Sequence, residues 1–217
     1  MGRGLDPDVV SLPRLIPLFP LPDVVLFPKV PLPLHVFEPR YRKLTTDVLE
    51  THKIIGMTLL RSGWEADYYG RPPVYPIGCA GRIEKWEILD GARFNIMLRG
   101  LTRFRILEEH TGEPYRLATV EPLEDEGADE AALDEAQRKV LAAIGKASDG
   151  PAVLVIQPSI GSDVLVNALS QTLDLTPVER QSLLDCDTLL GRYGRLLEIL
   201  EFKQLEETFG RGPDMVH

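Results

Sequence analysis

Four histidines (His35, His52, His110 and His217) and two cysteines (Cys79 and Cys186) are the side chains that could hold a transition metal. None of them stands at the CxxC or HxxxH spacing that gathers such ligands on one loop or helix face, so no metal is expected. Gly145-Lys146 is followed by Ala147, inside a helical pattern, where a phosphate-cradling loop would need Ser or Thr. No GxSxG elbow occurs, and Ser162 in Ser159-Ile160-Gly161-Ser162-Asp163 reads as a helix cap. Cys79 alternates with apolar residues in a strand pattern and reads as buried. Cys186 lies between Asp185 and Asp187, whose charge disfavours a thiolate. The expectation is a non-enzymatic chain with no catalytic residue and no cofactor.

Two features point to binding. Glu38-Pro39-Arg40-Tyr41 sits where an extended segment gives way to a helix. A Glu, an Arg and a Tyr there can face a groove and hold a polar peptide group. Alternatively, Glu38 charges the helix start and Tyr41 packs inward. The second feature is a loop over residues 61–76, RSGWEADYYGRPPVYP, holding Trp64, Tyr68, Tyr69 and Tyr75. Exposed loop aromatics form protein-binding hot spots; folded back, the same rings make a small core for the loop itself.

The elements that must position these residues begin with Ile16 to Tyr41, where seven prolines and three phenylalanines fall within 26 residues. Proline removes a backbone donor and clashes with the preceding turn, so the stretch is too proline-rich for a helix. It is also too apolar for a disordered linker. Val24 to Phe27 is a short apolar run that Pro28 stops. Val30, Leu32, Leu34 and Val36 fall at every second position and share one face of an extended segment. Pro31 and Pro33 lie between them and place that segment at a sheet edge. Pro39 suits a first helical turn, and Tyr41, Leu44, Val48 and Leu49 give residues 39–51 helical spacing. Ile54 to Leu60 reads as a buried strand. Ile77, Cys79, Gly81 and Ile83 alternate, and the pattern runs on through Trp86 and Ile88 to a hairpin turn at Asp90-Gly91, both positions favouring positive φ. Phe94 to Leu98 returns, Gly100 breaks it, Phe104 to Leu107 follows, and Tyr115 to Val120 closes the series with Ala118 and Val120 inward.

Beyond the acidic junction at 121–130 the period changes. Leu133, Ala136, Val140, Leu141 and Ile144 fit a helix face. An apolar link spans 151–160, and Val164, Leu165, Ala168 and Leu169 mark a short helix. Thr176-Pro177-Val178-Glu179 is a capping box with proline at the first helical position. A last helix carries Leu189, Leu190, Tyr193, Leu196, Leu197 and Leu200. The fold class is therefore α+β: a β-barrel of six short strands with one helix over 14–122, then a bundle of about four helices over 128–205, packed against the barrel. Residues 1–13 and 206–217 are flexible ends.

The chain of 217 residues carries a net charge of -9, unevenly placed. Residues 1–120 hold 16 basic against 14 acidic side chains, and residues 121–217 hold 8 against 19. The overall acidity argues against nucleic acid as the main partner, since that binding rests on phosphate neutralisation. No apolar run approaches the roughly 18 residues of a membrane span, so no membrane is expected. With two distant, reduced cysteines and no secretion-signal core, the chain reads as cytoplasmic.

Pro17-Leu18-Phe19-Pro20-Leu21, Val24-Val25-Leu26-Phe27-Pro28 and Pro31-Leu32 together resemble the signature of the Lon protease N-terminal, or substrate-binding, domain family. Phe37-Glu38-Pro39-Arg40-Tyr41 resembles the version in small stand-alone bacterial members and in the central domain of cereblon-like proteins. Gly78-Cys79-Ala80-Gly81-Arg82-Ile83, Leu98-Arg99-Gly100-Leu101-Thr102-Arg103-Phe104 and Arg180-Gln181-Ser182-Leu183-Leu184 follow in the family's order, so the likeness covers about residues 14–203. It implies a PUA-like barrel followed by helices and a role in recognising polypeptide, as unfolded segments or a specific protein partner. The ATPase and Ser–Lys protease domains of Lon have no counterpart in these residues. PUA-like barrels also suggest an alternative, RNA binding, through Arg93, Arg99, Arg103 and Arg105 with Phe94 and Phe104. The sequence leaves self-association open.

Overall fold

The computed structural model describes residues 12–125, 129–147 and 160–210. Of the expected lead-in over 1–13, apolar link over 151–160 and tail over 206–217, residues 1–11, 151–159 and 211–217 lie outside the described residues. Contacts divide the chain into two compact units, Met1–Glu124 and Asp125–His217. Among the described residues no helix is long and apolar enough to cross a membrane.

The first unit holds β1 (Leu15–Leu21), β2 (Pro31–Val36), α1 (Pro39–Leu49), β3 (Ile54–Leu59), β4 (Ile77–Leu89), β5 (Arg93–His110) and β6 (Arg116–Leu123). The six strands form one mixed sheet in the order β2-β5-β4-β3-β1-β6, and β6 also pairs with β5. β1 and β3 run parallel and the other pairings are antiparallel. The long β5 meets two partners in succession, β2 over Phe94–Arg99 and β6 over Arg103–His110. The pairings thus run β1, β3, β4, β5, β6 and back to β1, and β2 stands outside this circuit. Ile16, Leu18, Ile54, Ala80, Phe104, Ala118 and Val120 form a buried cluster of the core.

Prolines are placed where a missing donor does least harm. β1 lies between β3 and β6 yet contains Pro17 and Pro20. Its partners engage successive halves, β6 over Leu15–Leu18 and β3 over Leu18–Leu21, so each proline sits in a half paired on one side only. Just before β2, the Val30 carbonyl accepts from the Gly100 N–H at 3.0 Å. Ladder bonds in an antiparallel pair recur at every second residue, so Pro31 and Pro33 occupy positions whose N–H would point away from β5. They strip the outer edge of donors without weakening the ladder. β2 is the end strand expected from its prolines, and Val30 and Val36 are buried while Pro31, Pro33 and His35 are exposed.

Four local expectations are corrected. Val24 to Phe27 makes no ladder; it is an irregular segment whose Val25, Leu26 and Phe27 are buried. Gly100 does not break its strand. β5 runs unbroken through it for 18 residues, and a Cβ there would strike the Phe27 carbonyl; glycine is needed for close backbone approach. In the β4–β5 hairpin the positive φ values fall on Gly91 (73°) and Ala92 (55°), one residue later than Asp90-Gly91. Leu89 pairs with Arg93, so the turn has three residues. Finally, Trp86 and Ile88 pair with Ile96 and Phe94 and so share their face, but they are 44% and 67% exposed while Ile96 and Phe94 are buried, so the core covers β5 here and leaves β4 open.

The second unit holds α2 (Glu130–Ala147), α3 (Ser162–Thr172), α4 (Pro177–Leu184) and α5 (Leu189–Gly210), and α5 contacts each of the other three helices. The capping box forms as expected: the Glu179 N–H donates to the Thr176 hydroxyl at 3.2 Å and the Thr176 N–H to the Glu179 carboxylate at 2.6 Å. Ser162 is not a cap. Gly161 takes that position, and the Ser162 hydroxyl donates instead to Gln137 at 3.3 Å.

Candidate functional site

Pro39 opens α1 with its preset φ, and Glu38 before it has extended backbone and no side-chain cap bond. The Glu38 carboxylate turns to two partners instead. Arg40 Nε donates to Oε2 at 3.2 Å, and the Tyr68 hydroxyl donates to Oε1 at 2.5 Å. Arg40 Nη1 also donates to the Tyr68 carbonyl at 3.2 Å. The guanidinium lies 4.6 Å from the Tyr41 ring centre and 4.9 Å from that of Tyr68, a contact favourable to a cation because the ring face is negative.

The stack continues in both directions. Inward, Tyr41 stacks on Phe19 of β1 at 4.0 Å and donates its hydroxyl to the Pro20 carbonyl at 3.3 Å. Tyr41 is 3% exposed, and burial pushes its phenol far above the ordinary range. Outward, Tyr68 meets Trp64 edge-on at 5.4 Å and Tyr69 at 5.2 Å. Trp64 opens a short 3-10 turn, Trp64–Asp67, which sets its ring beside that of Tyr68 one turn later. Tyr69, 88% exposed, ends the stack in solvent.

The two sequence features are therefore one assembly: Glu38, Arg40 and Tyr41 meet Trp64, Tyr68 and Tyr69. Tyr41 packs inward while Glu38 binds across to the loop; Trp64 and Tyr68 fold back while Tyr69 is offered outward. Tyr75 stays apart, half-buried, with the Arg61 guanidinium 5.3 Å from its ring.

Sequence reasoning missed the cavity beside this stack. It measures about 220 Å³, and Arg40, Tyr41 and Tyr69 share its wall with Arg71, Tyr115 and Arg116. Arg116, 6% exposed, donates to the Pro72 carbonyl at 2.6 Å and pairs with Glu109 at 3.3 Å. Its pKa is lowered by burial first; Glu109 and Tyr41 oppose, and Arg71 and Arg40 lower it by less. Tyr115 donates its hydroxyl to Asp47 at 2.8 Å, and Lys43 holds the same carboxylate at 2.6 Å. Burial and that bond raise the Tyr115 phenol. A signal for Arg116 was present: it shares the parity of Ala118 and Val120, the inward positions of β6, and a charge at an inward position needs a reason.

A second, shallower groove of about 430 Å³ involves Leu34, His35, Trp86, Asn95 and Met97. Lys53 Nζ lies 4.5 Å from the Trp86 ring centre. The basic aromatic face conceived over residues 93–105 does not assemble. Phe94 and Phe104 are 5% and 0% exposed and Arg103 is 2% exposed, because strand alternation turns the rings into the core. Arg99 pairs with Glu84 at 2.7 Å.

Comparison with known proteins gives a consistent likeness. The family model described as the ATP-dependent protease La (LON) substrate-binding domain matches residues 15–201. The Lon protease of Flavobacterium johnsoniae is 28% identical over 204 residues, covering 90% of this chain and 24% of that protein. That of Anaeromyxobacter dehalogenans is 25% identical over 206 residues, covering 89% and 24%. The chain thus spans about a quarter of the length of these curated relatives. The crystal structure of a Lon N-terminal domain protein from Xanthomonas campestris aligns with a TM-score of 0.57 at 23% identity, covering 92% of this chain and 99% of that one. The N-terminal domain of a Mycobacterium avium complex Lon protease aligns with a TM-score of 0.67 at 14% identity, covering 86% and 98%. At these identities the two structures speak to the fold.

Proposed function

Since the chain belongs to the family of LON substrate-binding domains, we propose that it is a non-enzymatic module that binds polypeptide, as unfolded segments or a specific protein partner, in protein quality control. The surface it uses is the outer end of the aromatic–arginine stack: Tyr69 and Trp64 make the contact, and Glu38, Arg40, Tyr41 and Tyr68 hold them. Tyr75, half-buried beside Arg61, stands outside this stack.

One observation carries this reading. Tyr69 is 88% exposed while its neighbours in the stack are fixed by hydrogen bonds and ring contacts. A large ring held out on a rigid support loses little further entropy on binding. The 220 Å³ cavity at its side accepts a single side chain rather than a folded surface.

The test uses the two tryptophans, Trp64 and Trp86. In a Trp86→Phe variant the intrinsic fluorescence reports Trp64 alone. Titration with unstructured, apolar-rich peptides is expected to shift that emission saturably, and Tyr69→Ala to weaken binding by roughly tenfold, the scale of an interface anchor. Peptides that bind with Trp64 silent and Tyr69→Ala without effect would place the contact elsewhere. A single-stranded RNA titrated over a range of salt concentrations is the control, and no salt-dependent binding is expected.

A further inference from the structure

The cavity beside Tyr69 has an unequal wall: three guanidinium groups, Arg40, Arg71 and Arg116, against one carboxylate, Glu113. Each guanidinium is anchored away from the cavity. Arg40 is held by Glu38 and the Tyr68 carbonyl, Arg71 by the His110 carbonyl at 3.1 Å, and Arg116 by Glu109 and the Pro72 carbonyl. A guanidinium has five N–H donors, so this anchoring fixes the groups and leaves donors over. Arg71 takes part in no ion pair among the described residues.

We propose that this cavity binds the carboxylate of a polypeptide, whether a chain terminus or an Asp or Glu side chain. The inference rests on the polypeptide-binding reading and names the chemical group that reading leaves open. The planar fork of arginine matches a carboxylate in two parallel hydrogen bonds. Like charge gathered in a partly buried wall is costly, and an incoming anion removes that cost. The remaining wall is aromatic, Tyr41, Tyr69 and Tyr115, so an apolar residue beside the carboxylate has a surface to lie on. A volume of about 220 Å³ suits one such group. A polyanion is disfavoured by Glu113 in the wall and by the chain's net charge of -9.

The test separates this inference from the parent reading. The amide signals of Gly70, Arg71 and Tyr115 are followed in ¹⁵N-labelled full chain during titration with N-acetyl-leucine, which carries a terminal carboxylate. The same titration is run with N-acetyl-glutamic acid α-amide, which carries a side-chain one, and with N-acetyl-leucine amide, which carries neither. Saturable shifts with either acid and none with the amide are expected, and the stronger acid identifies the source of the carboxylate. Arg71, exposed at the wall, is the variant of choice. Arg71→Gln should weaken acid binding by about tenfold, the scale of a lost charge-assisted bond, with the rest of the spectrum unmoved. Equal shifts with acid and amide, no shift with any of the three, or tighter binding of inorganic phosphate overturns the proposal. Unstructured peptides that bind alike as C-terminal acids and amides, with or without internal Glu, would overturn the carboxylate site and leave polypeptide binding standing. Acid-selective shifts without any peptide binding would do the reverse.

Discussion

The Tyr68 hydroxyl donates to the Glu38 carboxylate at 2.5 Å across 30 residues of chain. This bond joins the start of α1 to the aromatic loop. Burial and the bond to Glu38 both raise the Tyr68 phenol, so the hydroxyl is a donor throughout the neutral range. Without the bond, the loop is tied here through the Arg40 bond to the Tyr68 carbonyl and the ring contacts.

Tyr68→Phe keeps the ring against Arg40 and deletes the bond. The expected effect is a loosening of the loop by about 1–1.5 kcal/mol, within the range for a hydrogen bond to a charged group that is partly exposed. Hydrogen exchange at the Gly70 amide, which donates to the Asp67 carbonyl, should quicken by up to ~10-fold with global stability little changed. Exchange as slow as in the parent would mean that Arg40 alone holds the loop.

Gly100→Ala tests the close approach of β5 to the segment before β2. The added methyl meets the Phe27 carbonyl and the Pro28 Cα, both backbone, and cannot be accommodated by a rotamer change. Lys29 donates to the Gly100 carbonyl at 2.8 Å in the same contact. A loss of about 2–3 kcal/mol is expected from this overpacking, read as a lower denaturation midpoint at unchanged slope. A neutral outcome would show that the Phe27 segment moves freely.

The edge strand, the capping box and the helix at Pro39 were legible because each rests on local backbone chemistry. Pro31 and Pro33 speak for themselves, and so do Thr176 and Glu179. Gly100 was misread because its reason lies 73 positions away, at Phe27, and no local pattern shows a carbonyl pressed against a strand. Trp86 and Ile88 carry the alternation of a core strand, but alternation tells which face a residue takes and not whether anything covers it. The candidate site was half legible. Its two parts were each visible, whereas their meeting through Arg40 and Tyr68, and the arrival of Arg71 and Arg116 beside them, depends on how β6 and the loop return in three dimensions.

His52 predicts a pH dependence. Its Nδ1 accepts the Ile54 N–H at 3.0 Å, which requires the ring nitrogen to be unprotonated, and burial lowers its pKa from 6.5. The unfolded chain therefore binds the proton more readily. Stability from this group is full above the unfolded value and falls as pH drops from about 6.5 toward the lower folded value. His52→Asn, which keeps an acceptor and removes the titration, should flatten thermal stability between about pH 6.5 and 5, above the range where carboxylates take over. Equal slopes for both proteins would assign the acid sensitivity to other groups.

In the second unit, Arg192 of α5 has 0% side-chain exposure. It donates to Asp125 at 2.9 Å, to Asn167 at 2.8 Å and to the Leu183 carbonyl at 3.0 Å. The guanidinium thereby ties α5 to α3 and to the end of α4. Replacing it with Met fills similar space but leaves the buried Asn167 and Leu183 oxygens without this donor, at about 1–3 kcal/mol for each group so left. Asp125 differs, since its side chain is 20% exposed and water can take over part of its role. Asp125→Asn keeps an acceptor toward Arg192 and should cost about 1 kcal/mol. The asymmetry is the measurement: chemical denaturation followed through the helical signal should place Arg192→Met well below Asp125→Asn. Equal losses would mean that the ion pair, rather than the hydrogen bonds to Asn167 and Leu183, is what Arg192 contributes.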